Sequence, residues 1–322
     1  MSENTIALLF PGQGSQVIGM GKELAEKYPV ARQTFAEADE ALGYKLSQLC
    51  FEGPEDQLRL TEITQPAILT TSIAALRVLE TRIPKPCFVA GHSLGEYSAH
   101  VASGTFSFGD AVRTVRNRGK YMQEAVPVGE GTMAAILGME LEKVTVVCAD
   151  AAQNQVCSPA NINSPEQIVI SGNTAAVKRA TKLADERGAK RAKVLPVSAP
   201  FHCSLMQPAQ DCLKTDLAKV AMQKPVYPVA CNADAALVTD DIRALDTLVR
   251  QVTGAVQWDP CMRLLIAQGV QTFIEVGPGK VLCGLMRQID RLKTCFNVSD
   301  EASLTKTLQA IGLAPVKDSV ED

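Results

Sequence analysis

Two rhythms of apolar and polar residues alternate along the chain. Short unbroken apolar runs, closed by glycine or proline, read as strands buried on both faces, and longer stretches with apolar residues three or four apart read as amphipathic helices. The runs at Ile6–Phe10, Pro86–Val89, Tyr227–Cys231, Thr272–Val276 and Thr294–Val298 are the expected strands of one sheet. Helical spacing lies between them, at Lys22–Lys27, Val30–Leu42, Gln65–Leu79, Phe108–Glu124, Cys203–Val220, Ile242–Gln251, Pro260–Ala267 and Ser303–Ile311. Pro66 suits the first turn of the helix it introduces. The alternation predicts an α/β fold with a mostly parallel sheet.

Between Thr132 and Val197 the order changes to strand 132–137, helix 140–152, strands 156–162 and 167–171, helix 174–187 and strand 192–197. This βαββαβ order predicts a ferredoxin-like unit inserted in the larger domain. The expected organisation is therefore a discontinuous core over 1–128 and 199–313, a small domain over 129–198, and a flexible polar tail over 314–322.

Composition narrows the class. The 322 residues are 46% hydrophobic and carry a net charge of −3, with no basic tail, so a sizeable core is available and nucleic acid is not an expected partner. Ten cysteines with no C-x-x-C fit neither a zinc site nor a small disulfide framework. The first apolar run is cut at Pro11-Gly12, unlike a signal peptide, and no apolar run reaches the roughly 18 residues of a membrane span. A soluble cytoplasmic protein without membrane contact is expected. Neither Gly12-x-Gly14-x-x-Val17 nor Gly277-Pro278-Gly279-Lys280-Val281 completes a phosphate-binding loop.

The chemistry concentrates at Gly91-His92-Ser93-Leu94-Gly95, which fits G-x-S-x-G between an expected strand and a helix over Glu96–Ser103. Glycines on either side of such a turn let strand and helix approach, pushing the Ser93 hydroxyl outward. The Leu94 N–H falls at a helix N-terminus, where donors favour an oxyanion. A serine nucleophile needs a base, and the chain holds three histidines. His92 precedes Ser93 on the strand and should point to the opposite face. His100 lies two helical turns on, about 10 Å away. His202, where the small domain hands back to the core, remains. Of the acids between serine and histidine, Asp110, Glu124 and Asp150 stand in no recognisable loop, so a dyad is the simpler reading. The basic positions Arg113, Arg116, Arg118 and Lys120 on one helix read by composition as a solvated face.

Together, Phe10-Pro11-Gly12-Gln13-Gly14-Ser15-Gln16, Gly91-His92-Ser93-Leu94-Gly95-Glu96-Tyr97, Arg118-Gly119-Lys120, Phe201-His202, Val256-Gln257-Trp258 and Glu275-Val276-Gly277-Pro278-Gly279 resemble the bacterial malonyl-CoA:acyl carrier protein transacylases of fatty acid synthesis over essentially the whole chain. The resemblance implies an α/β-hydrolase-like core with a ferredoxin-like insertion, and ping-pong transfer of malonyl from malonyl-CoA through Ser93 to the phosphopantetheine thiol of acyl carrier protein. It implies no bound cofactor and no metal; the coenzyme A thioester is a substrate. It casts His202 as base, Gln13 with Leu94 as oxyanion hole, and Arg118 as carboxylate ligand. It places Phe201, Asn161 and Asn163 near the substrate, and makes the Gln251 backbone carbonyl the group that orients His202. At Phe201 some close relatives carry serine. The competing readings are an α/β-hydrolase-type esterase or thioesterase, disfavoured by the missing H-G-G-G-type loop, and an inactive carrier-binding scaffold. For an acidic carrier protein, the densest basic segment is 178–193, with Lys178, Arg179, Lys182, Arg187, Lys190, Arg191 and Lys193 against Asp185 and Glu186.

Overall fold

The structure, a computed structural model, describes residues 5–313; the expected flexible tail 314–322 lies outside the described residues. The strands, in chain order, are β1 (Ile6–Phe10), β2 (Phe88–Gly91), β3 (Gly131–Leu137), β4 (Cys157–Ser164), β5 (Gln167–Asn173), β6 (Arg191–Val194), β7 (Val229–Cys231), β8 (Ala236–Val238), β9 (Thr272–Val276) and β10 (Thr294–Val298). They form two sheets. One has six strands in the order β10-β9-β1-β2-β7-β8, parallel from β10 to β7 and closed by the antiparallel β8. The other is antiparallel, in the order β4-β5-β3-β6.

Burial explains why β1 reads as an unbroken apolar run. Ile6, Leu8 and Phe10 face a core built on the helix Thr61–Leu79, while Ala7 and Leu9 face a second core around Trp258 and the helices Trp258–Ala267 and Val281–Ile289. A strand covered on both faces has no polar side to show. In the antiparallel sheet Ala134 and Ile136 of β3 pack under the helices Leu141–Ala152 and Thr174–Glu186. Met133 and Val169 point the other way, into the main core. The antiparallel sheet is also tied through backbone to the segment that leads into the helix Trp258–Ala267, because Val256 donates to Ala160 (2.8 Å) and accepts from Ile162 (2.9 Å).

Several elements differ from the sequence reading, among them strand β8, which was not expected. The helix expected from Gln65 begins at Thr61, so Pro66 sits inside it, beyond the first turn; the helix starts where the Leu60 carbonyl accepts from Ile63 and Thr64. Strand β6 stops at Val194 instead of reaching Val197, because Pro196 offers no N–H to a ladder. Short helices at Leu46–Glu52 and Glu55–Leu58 were not expected. Nor was Val281–Ile289, whose N-terminal donors, Leu282 and Cys283 N–H, are satisfied by the Glu275 carboxylate from β9. That cap is tertiary, so no local signal marks it. Among the described residues no helix is long and apolar enough to cross a membrane.

The strand-to-helix crossing at Ser93 depends on its two glycines. A Cβ at Gly91 would collide with the Gly95 carbonyl, and one at Gly95 with the Phe10 carbonyl oxygen. All the colliding atoms are backbone and cannot swing away. Gly95→Ala is therefore expected to cost at least the ~1–3 kcal/mol of an overpacked core, read as a lower midpoint in urea unfolding; an unchanged midpoint would mean the crossing is looser than it appears.

Candidate active site

The turn after β2 holds Ser93 at φ 51° and ψ −108°, in a region that L-residues rarely occupy. Neighbouring backbone clamps it in place: His92 N–H donates to the Phe10 carbonyl (3.0 Å), and Gly95 N–H donates back to the His92 carbonyl (2.9 Å). The helix Leu94–Ala102 starts immediately, so the Leu94 N–H is one of the first-turn donors that lack an intrahelical acceptor. Gln13, on the loop after β1, lines the same cavity and reaches Thr61 Oγ1 with its Nε2 at 3.5 Å.

Of the three histidines, His202 meets the serine. Its Nε2 lies 2.7 Å from Ser93 Oγ, and its Nδ1 lies 2.9 Å from the Gln251 carbonyl oxygen. A carbonyl only accepts, so Nδ1 carries the proton and Nε2 presents a lone pair to the hydroxyl. His202 also has positive φ, 59°. Both partners of the pair are thus held in strained backbone. Burial, and then the Arg118 cation, push its pKa down to about 3. His100 is fully buried and likewise pushed to about 3 by burial. His92 turns away from the serine, and its Nε2 meets Asn163 Oδ1 at 2.8 Å.

Arg118 departs from the solvated face expected of its helix, on which Arg113 and Lys120 do stand exposed. Its side chain is 1% exposed. Nη1 donates to Gln65 Oε1 (2.8 Å), while Nη2 donates to Gln251 Oε1 (3.0 Å) and to Ser93 Oγ (3.2 Å). Its guanidinium carbon lies 5.4 Å from the centre of the Tyr97 ring. Among the described residues no carboxylate comes within ion-pair distance of it, and its Nε has no hydrogen-bond partner. A buried cation without a counter-ion is costly, and this one borders open space.

That space is a cavity of about 840 Å³ between the two sheets, lined by Gln13, Ser93, Leu94, Arg118, Asn161, Phe201 and His202. Asn161 Oδ1 is buried there without a partner. Asn163 does not line it and instead holds His92 from behind. The loop after β6, from Leu195 to Ser198, forms one wall. Among the described residues no group of three or more His, Cys, Asp or Glu side chains is placed to hold a metal ion.

The basic segment 178–193 splits. The helix Thr174–Glu186, bearing Lys178, Arg179 and Lys182, covers the face of the antiparallel sheet opposite Met133, a cavity residue, so it lies away from the cavity. Arg179 is used internally, donating to the carbonyls of Ala151 and Ala152 and to Gln155. Arg187 pairs with Asp150, and Lys190 with Glu166. Arg191 and Lys193 stand exposed on edge strand β6, which runs into the cavity wall.

Three contributors escaped the sequence reading: Gln65, Glu96 and Asn232. Glu96 is completely buried and accepts from Gln251 Nε2 (2.7 Å) and Asn232 N–H (3.0 Å); burial pushes its pKa up to about 7. Asn232 stands directly after β7, beside the carboxyl ends of β1 and β2, where open α/β sheets place their sites. That position was the available signal.

A strained serine between a parallel strand and a helix, touched by the lone pair of a neutral imidazole and facing a cavity, is equipped for acyl transfer to and from its hydroxyl. Residues 7–310 match the acyl transferase domain family, and the chain belongs to it. It is 48% identical over 303 residues to the malonyl CoA-acyl carrier protein transacylase of Salmonella typhimurium, covering 94% of this chain and 98% of that one. Among solved structures, an acyl carrier protein S-malonyltransferase from Vibrio cholerae superposes with a TM-score of 0.92 at 49% identity, over 94% of this chain and 99% of that one. A malonyl-transacylase solved in complex with a type II PKS acyl-carrier protein gives a TM-score of 0.93 at 45% identity, over 95% and 99% of the two chains.

The buried imidazoles give a direct expectation for titration. For a base, a depressed pKa means that the neutral form persists as pH falls past the usual 6.5, and burial depresses all three here. Long-range proton–nitrogen NMR spectra at about pH 5.5 should show the His100 and His202 rings neutral. Titration of either of these two rings near 6.5 would contradict the closed geometry around it.

Proposed function

We propose that the chain transfers malonyl from malonyl-CoA to the phosphopantetheine thiol of an acyl carrier protein through a malonyl ester on Ser93. The observation that carries this reading is Arg118, a buried guanidinium without a counter-ion, 3.2 Å from the Ser93 hydroxyl. An acyl group that ends in a carboxylate supplies the missing charge, and a bidentate pair fixes its orientation.

In the first half-reaction His202 Nε2 takes the Ser93 proton as Oγ bonds to the thioester carbon. The oxyanion points at the Leu94 N–H and Gln13. Collapse breaks the carbon–sulfur bond, and coenzyme A leaves with the proton from His202. In the second half, the carrier thiol gives its proton to His202 and attacks the ester, and Ser93 recovers the proton as it departs. The Gln251 carbonyl, accepting from Nδ1–H, keeps one tautomer throughout. Phe201 and Asn161 border the acyl group, and Asn163 acts through His92. No resident cofactor enters this scheme.

We read the fold at finer grain as an α/β-hydrolase-like core (1–128 and 199–313) with a ferredoxin-like insertion (129–198). Support comes from the order β6-β3-β5-β4 with both crossing helices on one face. A cytoplasmic setting agrees with the thioester substrates. For the carrier protein, Arg191 and Lys193 at the cavity edge are better placed than Lys178 and Lys182, and Lys190 is already paired with Glu166.

Intact-protein mass spectrometry after malonyl-CoA tests the reading: a malonyl adduct that transfers to carrier protein is expected, and release of free malonate would instead assign hydrolysis. Ser93→Ala should carry no adduct, and His202→Ala should acylate roughly 10²- to 10⁴-fold more slowly. Arg118→Ala should lose malonyl transfer by about 10²-fold or more, the equivalent of ~3–5 kcal/mol, while acetyl transfer falls far less. Equal losses for both acyl groups would make Arg118 structural.

A further inference from the structure

Asn232 makes three hydrogen bonds to the elbow segment, residues 91–96. Its Oδ1 accepts from Ser93 N–H (2.7 Å), its Nδ2 donates to the Gly91 carbonyl (2.8 Å), and its own N–H donates to Glu96 Oε2 (3.0 Å). The first two join both ends of the two-residue step that carries the serine. Asn232 is fully buried and is not among the residues lining the cavity. Gln251, whose backbone carbonyl holds His202, reaches the same cluster: its Nε2 donates to the Ser93 carbonyl (3.0 Å) and to Glu96 Oε2 (2.7 Å).

From this geometry we infer that Asn232, seated on Glu96, is a positioning residue for acyl transfer: its carboxamide locks the left-handed Ser93 turn so that Oγ meets His202 Nε2. A carboxamide suits the task because it donates and accepts at fixed separation, while Ser93 N–H and the Gly91 carbonyl present one acceptor-seeking and one donor-seeking group. The strained conformation needs such over-determination to persist. Glu96 completes the support by gathering two donors, Asn232 N–H and Gln251 Nε2, on one oxygen, which links the serine's clamp to the histidine's. The inference rests on the proposed acylation of Ser93. The wild-type adduct tests that reading, and the variants below test the clamp only against a wild type that acylates.

Asn232→Asp sharpens the test. Ionised, it still accepts from Ser93 N–H but sets an oxygen lone pair against the Gly91 carbonyl; protonated, it restores both contacts. The groups that face the position are Glu96 from the helix Leu94–Ala102, Cys261 from the helix Trp258–Ala267, and Cys231 and Asp234 on its own segment, with Arg118 and His202 beyond Gln251. Burial pushes both cysteine thiols up, so they stay neutral, and Glu96 favours the neutral acid at the new side chain.

Pre-steady-state acylation by malonyl-CoA is the readout. Asn232→Ala should lower the acylation rate constant about 10- to 100-fold, as small misplacements of reacting groups do, with the malonyl-CoA concentration at half-maximal rate within about threefold of wild type. For Asn232→Asp, the rate relative to wild type should climb at least about fivefold between about pH 8 and about pH 5.5, as the carboxyl takes up its proton. An alanine variant that folds and acylates within threefold of wild type would overturn the proposal, as would a loss confined to malonyl-CoA affinity. If Asn232→Ala does not fold, the aspartate variant decides alone: a pH-independent ratio overturns the clamp.

Discussion

The site depends on one constraint, the left-handed backbone at Ser93. At φ 51° the chain leaves β2 and enters a helix within two residues, which points Oγ away from both. Such a conformation costs on the order of 1–3 kcal/mol and persists only where its surroundings allow no relaxed alternative. Here the Gly91–Gly95 approach excludes side-chain bulk from inside the turn, β1 takes the His92 N–H, and Asn232 and Gln251 hold the amide and carbonyl of Ser93 itself. Sheet order matters for the same reason. β2 lies between β1 and β7, and the loops that leave those two strands supply Gln13 on one side and Asn232 on the other.

A second consequence is the amount of polarity buried beneath the serine. Gln65, Glu96, Arg118, Asn232, His202 and Gln251 are all nearly inaccessible, in a molecule whose other buried side chains are mostly apolar. Buried polar groups are expensive unless paired, and most of the atoms here are paired with one another. The exceptions are informative. Arg118 Nε and Asn161 Oδ1 belong to residues that line the cavity, whereas Glu96 Oε1 is left over inside the network, where burial pushes that carboxyl's pKa up to about 7.

How much of this was legible follows from range. Periodicity placed the parallel strands and the βαββαβ order because burial leaves a local signature, as the unbroken apolar runs Ile6–Phe10 and Met133–Leu137, each covered on both faces, show. The elbow was legible because its glycines sit two residues from the serine. His202 emerged by counting three histidines against chain geometry. Features set by distant partners stayed hidden: the Glu275 cap that starts a helix, the burial of Arg118 within a basic helix, and the Asn232 clamp 139 residues from the serine it holds. Arg118 shows the limit of composition well. Its neighbours Arg113 and Lys120 make exposed salt bridges on the same helix, so the charge pattern alone gave no sign of which cation turns inward.

On the proposed reading, the acid absent beside His202 has a physical counterpart in the substrate. In the free enzyme His202 faces a neutral carbonyl at Nδ1 and a cation nearby, a setting that keeps its proton affinity low and that no carboxylate among the described residues relieves. Acting as the proposed general base, a ring so depressed is available at any ordinary pH but reluctant to accept the proton it must take. On the proposed reading, the malonyl carboxylate binds Arg118 and cancels the charge that contributes to this depression, so proton affinity at Nε2 rises when that acyl group is in place. Charge interactions across a few ångströms in a desolvated cavity are worth kilocalories, enough to matter to the rate. An acyl group without a carboxylate leaves the cation uncompensated and the base weak. Arg118 would then discriminate twice, once by holding the substrate and once through the basicity of the histidine that activates Ser93.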